Sequence, residues 1–204
     1  MSAPLLYLAS RSPRRHALLR QIAIEFEPLL LREAAGRDRD VVEETLDAEP
    51  AAHFVERMAR TKAQVGWLRV QNRKLAERPT LGADTEVVLD GDIFGKPKDR
   101  DDAIHMLKRL AGRTHQVLSA VALRTADGTE FGISASKVTL RRLASAEIER
   151  YVASGEPMDK AGGYAIQGLA AAFVTRIEGS YSGVVGLPLA ETAALLARAG
   201  IAVP

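Results

Sequence analysis

The chain contains no cysteine among its 204 residues. Disulfide bonds, thiolate metal sites and a thiol nucleophile are therefore excluded, and this composition fits a reducing compartment such as the cytoplasm. Histidine is also scarce. His16, His53, His105 and His115 are scattered along the chain with no pair at metal-ligand spacing, so we expect them to be solvent-exposed or to cap secondary structure.

Long apolar runs and strong charge of one sign are absent too. No apolar run approaches the about 20 residues of a membrane span. The N-terminal PLLYLA lacks a basic leader and a cleavage site, so a signal peptide is not expected. Aromatic residues make up 5% of the chain and the formal net charge is +2, with no basic stripe interleaved with aromatics. We expect a cytoplasmic protein that binds neither membranes nor nucleic acid.

The residues that are present alternate between patterns typical of strands and of helices, which predicts a single α/β domain over residues 1–204. Strands are expected at 5–9, 26–31, 115–125, 130–143 and 171–177, with a hairpin at 80–97 about Asp90-Gly91. Helices are expected after Ser12 and at 50–70, 100–112, 145–156 and 187–200. The charged stretch 32–50 is longer than an ordinary loop, which is typical of a lid or a binding loop.

The first candidate site is LASRSPRRHALL, at residues 8–19. Ser12 is a good N-cap and Pro13 suits the first helical position. Arg11, Arg14 and Arg15 surround this helix start, although cations there are unfavourable by roughly 0.3–1 kcal/mol each at exposed sites. The arginines either point into water, or they join the helix N-terminus in binding phosphate oxygens.

The second candidate site is GADTEVVLDGDIFGKP, at residues 82–97. Strand alternation places Asp84 and Glu86 on one face and Thr85 on the other. The strand is either an edge strand with a wet face, or it places a carboxylate at a cleft to activate water or hold a divalent cation. Lys96 suits a phosphate, whereas Asp99, Asp101 and Asp102 are expected to cap the following helix.

Loops rich in glycine form the third candidate site, SGEPMDKAGGYAIQG (154–168) and GSYSGVVGLPL (179–189). They contain Lys160, Gln167 and Ser180, as loops that wrap a small polar ligand do. As a bare pattern this signal is weak, because most such turns serve only chain reversal.

Taken in order, these motifs together with MARTKA and GKPKDRDDAIHMLKRLAGRTHQVLSAV resemble the Maf family of nucleoside triphosphate pyrophosphatases. The resemblance covers residues 5 to 197. It implies a fold similar to inosine triphosphate pyrophosphatase, with a mixed central sheet flanked by helices and two lobes around a deep cleft. It also implies hydrolysis of a nucleoside triphosphate to the monophosphate and pyrophosphate, dependent on a divalent metal cation, Mg²⁺ or Mn²⁺.

The resemblance also implies roles for particular residues. Asp84 matches the catalytic proton acceptor and a metal ligand. The phosphate-binding positions match Arg14, Arg15, Lys62 and Lys96. The positions that select the base match Arg14, Thr85 and Gln167.

One departure lies in the loop before the second helix, where the family has a second acidic metal ligand. This loop is longer here and reads RDRDVVEETLDAEP, so Glu43 is favoured as that ligand and Glu44 is the alternative. The segment KAGGYAIQG resembles the subfamily that acts on dTTP and UTP. The 7-methyl-GTP subfamily has Ser-Glu-Gly in place of Ile166-Gln167-Gly168.

The residues themselves fit this chemistry. Cationic side chains and a divalent cation would neutralise a triphosphate while Asp84 takes a proton from water. Gln167 offers a donor and an acceptor to the N3–H and O4 edge that uracil and thymine share. The alternatives are a nucleotide-binding regulator of septum formation with little turnover, a 7-methyl-GTP pyrophosphatase, and a nucleic-acid binder that uses the arginines. Whether the chain forms a homodimer, and whether its substrate is a normal or a modified pyrimidine nucleotide, stay open.

Overall fold

A computed structural model describes residues 5–31 and 40–203 of the chain. The first part of the predicted 32–50 loop therefore lies outside the described residues. Within them, seven strands form one mixed sheet: β1 (Leu6–Leu8), β2 (Phe26–Pro28), β3 (Thr80–Leu89), β4 (Asp92–Phe94), β5 (Thr114–Arg124), β6 (Thr129–Leu140) and β7 (Val174–Glu178). Their order is β2-β1-β3-β5-β6-β7, with β4 also paired to β3. The pairs of β1 are parallel and the others are antiparallel.

The described residues also form six α-helices: α1 (Pro13–Gln21), α2 (Ala51–Asn72), α3 (Arg100–Leu110), α4 (Ser145–Ala153), α5 (Tyr181–Val185) and α6 (Leu189–Arg198). Three short 3₁₀ helices span Glu156–Asp159, Ala161–Gly163 and Leu169–Phe173. The predicted mixed α/β architecture is confirmed. No helix in the described ranges is both long and apolar enough to cross a membrane.

The local signals read from the sequence mostly hold. Ser12 caps α1, its hydroxyl accepting from the Arg15 backbone N–H. Asp99 caps α3 by accepting from Asp102 N at 2.8 Å. The β3–β4 hairpin turns at Asp90 and Gly91, which both have positive φ, as this dipeptide favours.

Other boundaries were wrong. The strand predicted at 171–177 begins only at Val174, because residues 169–173 form a 3₁₀ helix that buries Ala170 and Phe173. The strand predicted at 26–31 ends at Pro28; as an edge strand it tolerates proline. Helix α5 was not predicted, since its five residues are too few to show a helical period.

Two hydrophobic clusters lie toward opposite ends of β3 and define two lobes. Leu81 and Ala83 pack in one cluster with residues of β1, α1 and α6. Val87 and Leu89 pack in the other with residues of α3 and α4. Thr85 points to the same face but lies between the clusters, and it is partly exposed. The boundary between the lobes therefore crosses the middle of β3.

Candidate active site

A deep cleft opens where one edge of β3 has no neighbouring strand within the described residues. On this edge β1 pairs with β3 at Thr80 and Leu81, and β4 pairs with it from Val87 onward. Residues 82–86 pair with β5 on the opposite edge only. Because the side chains alternate across the strand, both faces of β3 border the opening at this gap.

The cleft has a volume of about 1510 Å³. It is lined by every residue to which the family resemblance assigns a role, from six separate segments: Arg14, Arg15, Glu43, Glu44, Lys62, Asp84, Thr85, Lys96 and Gln167. Lys160 of the third candidate site lines it as well, whereas Ser180 does not. The volume exceeds that of typical small-molecule pockets, about 300–1,000 Å³, so a whole nucleotide triphosphate has room to bind.

One ammonium group joins two carboxylates at the floor of the cleft. Lys62 Nζ donates to Asp84 Oδ1 at 2.7 Å and lies 2.5 Å from Glu43 Oε1. Close packing of α2 on β3 sets this contact, because a Cβ on Gly82 would lie 2.4 Å from the backbone of Ala59. Only glycine lets the helix approach close enough for Lys62 to reach Asp84.

The charges in this group shift one another's pKa values. Burial alone would lower the pKa of Lys62, but the carboxylates of Asp84 and Glu43 outweigh it and raise the pKa. Partial burial would raise the pKa of Glu43, but the attraction of Lys62 outweighs it and lowers the pKa. Burial, with the negative charge of Asp84, raises the pKa of Glu86 to about 9.

Glu43 rather than Glu44 reaches the group around Asp84. Its other oxygen lies 3.9 Å from Lys96 Nζ. The backbone oxygen of Glu44 instead accepts from Arg57, and none of the described contacts joins the Glu44 carboxylate to Lys62 or Asp84. This geometry favours Glu43 as the acid of the loop, although its function as a metal ligand stays a prediction.

Arg15 lies on the other face of β3. It donates to the Gly186 carbonyl at 2.8 Å and more weakly to Ser10 Oγ and Thr85 Oγ1, both at 3.4 Å. These contacts use three of its five N–H donors, which leaves two for a ligand. Thr85 Oγ1 also contacts Ser119 Oγ at 2.8 Å. This contact fixes the hydroxyl of Thr85, which in turn helps to position Arg15.

Arg14 and Gln167 are the least constrained of the predicted residues. Neither side chain has a hydrogen bond or an ion pair within the described part of the chain. Gln167 is exposed and Arg14 is partly buried, and the two are not bonded to each other. Arg14 therefore does not fix the orientation of the Gln167 amide in this arrangement.

The acidic side chains fit a divalent cation. Asp84 Oδ2 and Glu86 Oε2 are buried and have no hydrogen-bond partner among the described residues. Within those residues no three acidic or histidine side chains are arranged to hold a metal ion by themselves. Mg²⁺ usually binds only one or two protein carboxylates together with substrate phosphates and water, so a metal at Asp84 stays a prediction.

Sequence reasoning missed Glu86, which lines the cleft, and His115, which contacts the cleft residue Tyr164. His115 was expected at the surface or in a cap, but it is buried and its Nε2 lies 2.7 Å from the Tyr164 hydroxyl. Glu86 had been placed on the face of Asp84 but was given no function of its own. The alternation of side chains along β3 could have indicated that Glu86 shares the site with Asp84. No local pattern could have indicated the contact of His115, because its partner Tyr164 is 49 positions away.

The fold and the cleft define an α/β protein with a site for a polyphosphate ligand, in which a buried carboxylate faces several cations. The family model described as Maf-like protein matches residues 5–199. The chain therefore belongs to the Maf family, as its motifs suggested.

Several relatives are similar to this chain over nearly their whole length. The dTTP/UTP pyrophosphatase of Nitrosomonas europaea is 53% identical, covering 97% of this chain and 96% of the relative. The dTTP/UTP pyrophosphatase of Aromatoleum aromaticum is also 53% identical, covering 96% of this chain and 95% of the relative. The dTTP/UTP pyrophosphatase of Dechloromonas aromatica is 50% identical, covering 96% of this chain and 97% of the relative. Among solved structures, the Ham1 protein of Staphylococcus aureus matches with a TM-score of 0.41 and 13% identity, covering 66% of this chain and 71% of that one.

Proposed function

We propose that this protein hydrolyses dTTP and UTP to the nucleoside monophosphate and pyrophosphate. The observation that carries the proposal is one cleft in which Asp84, paired with Lys62, faces the cations of α1 while Gln167 lies at the rim. The names of the relatives, which match nearly the full chain, support the same reaction and the same bases.

The phosphate-binding side chains approach the cleft from several directions. Arg15 offers two free N–H donors from a fixed position, and Lys62 and Lys96 offer ammonium groups. Together with Arg14 they can neutralise the charge of a triphosphate, which otherwise repels an attacking water. Arg15 cannot easily move, because Gly186 and Thr85 hold it.

Asp84 can accept the proton of the attacking water. Its Oδ1 is occupied by Lys62, whereas its buried Oδ2 has no hydrogen-bond partner among the described residues. A carboxylate that is oriented through one oxygen and has no partner on the other suits a general base. The proton passes from water to Oδ2, the water oxygen bonds to the α-phosphorus, and the bond to pyrophosphate breaks.

A divalent cation, Mg²⁺ or Mn²⁺, would be held by Asp84 and Glu43, with Glu86 beside them on the strand. When bound it would supply charge neutralisation for the leaving pyrophosphate. The raised pKa of Glu86, caused by burial and by the charge of Asp84, supports this assignment, since a bound cation would stabilise the ionised form of Glu86.

The experiment that tests the proposal is a panel of UTP, dTTP, CTP, 7-methyl-GTP and ATP, scored for pyrophosphate release with Mg²⁺ or Mn²⁺. Rapid release from UTP and dTTP supports it. A preference for 7-methyl-GTP would indicate the other subfamily, and binding without turnover would indicate a nucleotide-binding regulator. Salt-dependent binding to oligonucleotides would contradict our expectation that no nucleic acid is bound.

The cellular setting is part of the proposal as well. The absence of cysteine supports a cytoplasmic protein. Sedimentation analysis of the purified protein tests whether it forms a homodimer.

A further inference from the structure

Two side chains hold the turn that carries Gln167, which we define as residues 165–169. The backbone N–H of Ala165 donates to the Tyr151 hydroxyl at 3.2 Å, and that of Leu169 donates to Glu156 Oε2 at 3.0 Å. The Tyr151 hydroxyl donates in turn to Glu156 Oε1 at 2.8 Å. This Tyr151–Glu156 pair therefore holds both ends of the Gln167 turn.

The chemistry of the pair suits this task. A hydroxyl can donate and accept at once, and an ionised carboxylate only accepts. Burial and the hydrogen bond to Glu156 raise the pKa of Tyr151, so its hydroxyl keeps the proton that it donates. Glu156 receives a further, longer bond from the Ala170 N–H at 3.4 Å. Hydrogen bonds to a charged acceptor are stronger than neutral ones.

Packing keeps the pair in place. Tyr151 is 4% exposed and its ring packs edge-on against Phe173, with centroids 5.2 Å apart. A Cβ on Gly168 would lie 2.2 Å from Glu156 Oε2. The carboxylate thus occupies the space that a side chain at position 168 would need.

Arg14, the second residue predicted to select the base, is affected only weakly by this pair. Burial lowers the pKa of Arg14, and the negative charge of Asp159, followed at a distance by that of Glu156, opposes this effect. None of the described hydrogen bonds joins Arg14 to Tyr151 or Glu156, so we expect the pair to act through the Gln167 turn.

We propose that Tyr151 and Glu156 are positioning residues that set base selectivity by fixing the Gln167 turn. The proposal rests on the proposed function, in which the Gln167 amide reads the uracil or thymine edge. That amide has no hydrogen-bond partner of its own in the described structure, so only the backbone beneath it can define its position. The phosphate-binding residues Arg15 and Lys62 are held by other contacts, so the chemical step should depend little on the pair.

The test compares the wild type with Tyr151→Phe, which keeps the ring and removes the hydroxyl, and with Glu156→Gln. The matched control is Glu147→Gln. The Glu147 carboxylate also accepts a backbone N–H, from Ala144 at 3.0 Å. It lies in the first turn of α4 and not beside the Gln167 turn. For each protein kcat and KM are measured with UTP and CTP, together with Tm and NMR amide exchange at Ala165 and Leu169.

We expect both variants to lower the UTP:CTP ratio of kcat/KM roughly fivefold to tenfold, the effect of losing about one hydrogen bond. The loss should lie mainly in KM for UTP, and exchange at Ala165 and Leu169 should become faster. Glu147→Gln should lower Tm and leave the ratio unchanged.

The outcomes separate the two proposals. A wild type that does not prefer UTP to CTP contradicts the proposed function, and the selectivity role with it. A wild type that prefers UTP, with variants that keep its ratio, overturns the role of Tyr151 and Glu156 alone. If Glu156→Gln does not fold, the milder Tyr151→Phe decides, and a lower Tm at an unchanged ratio means a purely structural pair.

Discussion

Lys62 Nζ lies 2.7 Å from Asp84 Oδ1 and 2.5 Å from Glu43 Oε1, so one buried ammonium joins a strand of the sheet to the loop across the cleft. The three charges leave a net charge of −1 at the floor. This arrangement orients Asp84. It also predicts that replacing the Asp84 carboxylate and replacing the Lys62 ammonium group have different effects on activity.

Replacing the carboxylate should stop the chemistry and spare binding. Asp84→Asn keeps the shape of the side chain but cannot take a proton, so we expect kcat for UTP to fall about 10²–10⁴-fold. Nucleotide affinity, measured by calorimetry, should change little. Asp127→Asn, in an exposed turn, is the control. Turnover within tenfold of wild type would rule out the general-base role.

Lysine variants should lose activity on all bases alike. Lys62→Ala and Lys96→Ala each remove a phosphate contact, which contains no information about the base. We expect kcat/KM to fall by a similar factor for UTP, dTTP and CTP, with Lys62→Ala the more severe because Asp84 and Glu43 also lose their partner. Lys108→Ala, on the exposed side of α3, should have no effect. A loss confined to one base would show that these lysines do not bind phosphate.

Gly82 should tolerate no side chain. In Gly82→Ala the new Cβ would lie 2.4 Å from Ala59 O and from Ala63 N, and overpacking of this kind costs about 1–3 kcal/mol. We expect a lower Tm and lower activity, since Lys62 would be displaced from Asp84. Gly95→Ala, whose Cβ would meet only Glu86 Oε2 at 3.8 Å, is the control for stability. An unchanged Tm in Gly82→Ala would contradict the close packing of α2 on β3.

Burial of His115 predicts a loss of stability in acid. Burial lowers its pKa from the usual 6.5 to about 4, so the unfolded chain binds a proton that the folded protein does not between these values. The free energy of unfolding should fall by roughly 3 kcal/mol as the pH falls from 6.5 to 4. Denaturant unfolding of wild type and His115→Gln gives the free energy of unfolding at each pH. The difference between their slopes against pH is the contribution of His115. The exposed His105→Gln should keep the wild-type slope, and an equal slope in His115→Gln would disprove the contribution.

Short-range signals account for what could be predicted of this fold. The Ser12 and Asp99 caps, the Asp90-Gly91 turn and the alternation about Asp84 all depend on residues within a few positions of one another. The gap between β1 and β4, which opens both faces of β3, depends on strand pairing between distant segments. Alternation alone therefore suggested that Thr85 faced away from the site, although the cleft borders it as well.

The missed parts of the candidate site have the same cause. His115 and Tyr164 are far apart in sequence, and nothing near His115 indicates burial beyond its place in a strand. Glu156 received no role from the sequence, but it accepts the N–H groups at the start of a 3₁₀ helix, part of which was predicted to be a strand. The first N–H groups of a helix have no partner within the helix and need an acceptor. Once the 3₁₀ helix is known, an acceptor in the position of Glu156 is therefore expected.

The most specific prediction concerns Gln167. A site that hydrogen-bonds a polar base edge rejects analogues that cannot pair with it, because its own groups are left unpaired. UTP and dTTP should be good substrates and CTP a poor one, since cytosine reverses the order of donor and acceptor. A free amide could rotate to match that reversed order, so discrimination requires Gln167 to be held once the base binds.

Gln167→Glu removes the donor and adds a charge. It should therefore lower kcat/KM for UTP and dTTP more than for any purine nucleotide. The measurement is kcat/KM for UTP, dTTP, CTP and 7-methyl-GTP on both proteins, with Glu149→Gln, on the exposed side of α4, as a control. A wild type that prefers 7-methyl-GTP would contradict the subfamily. A variant that keeps the wild-type preference for UTP would mean that other groups read the base, and backbone atoms of the Gln167 turn would then be the first to test.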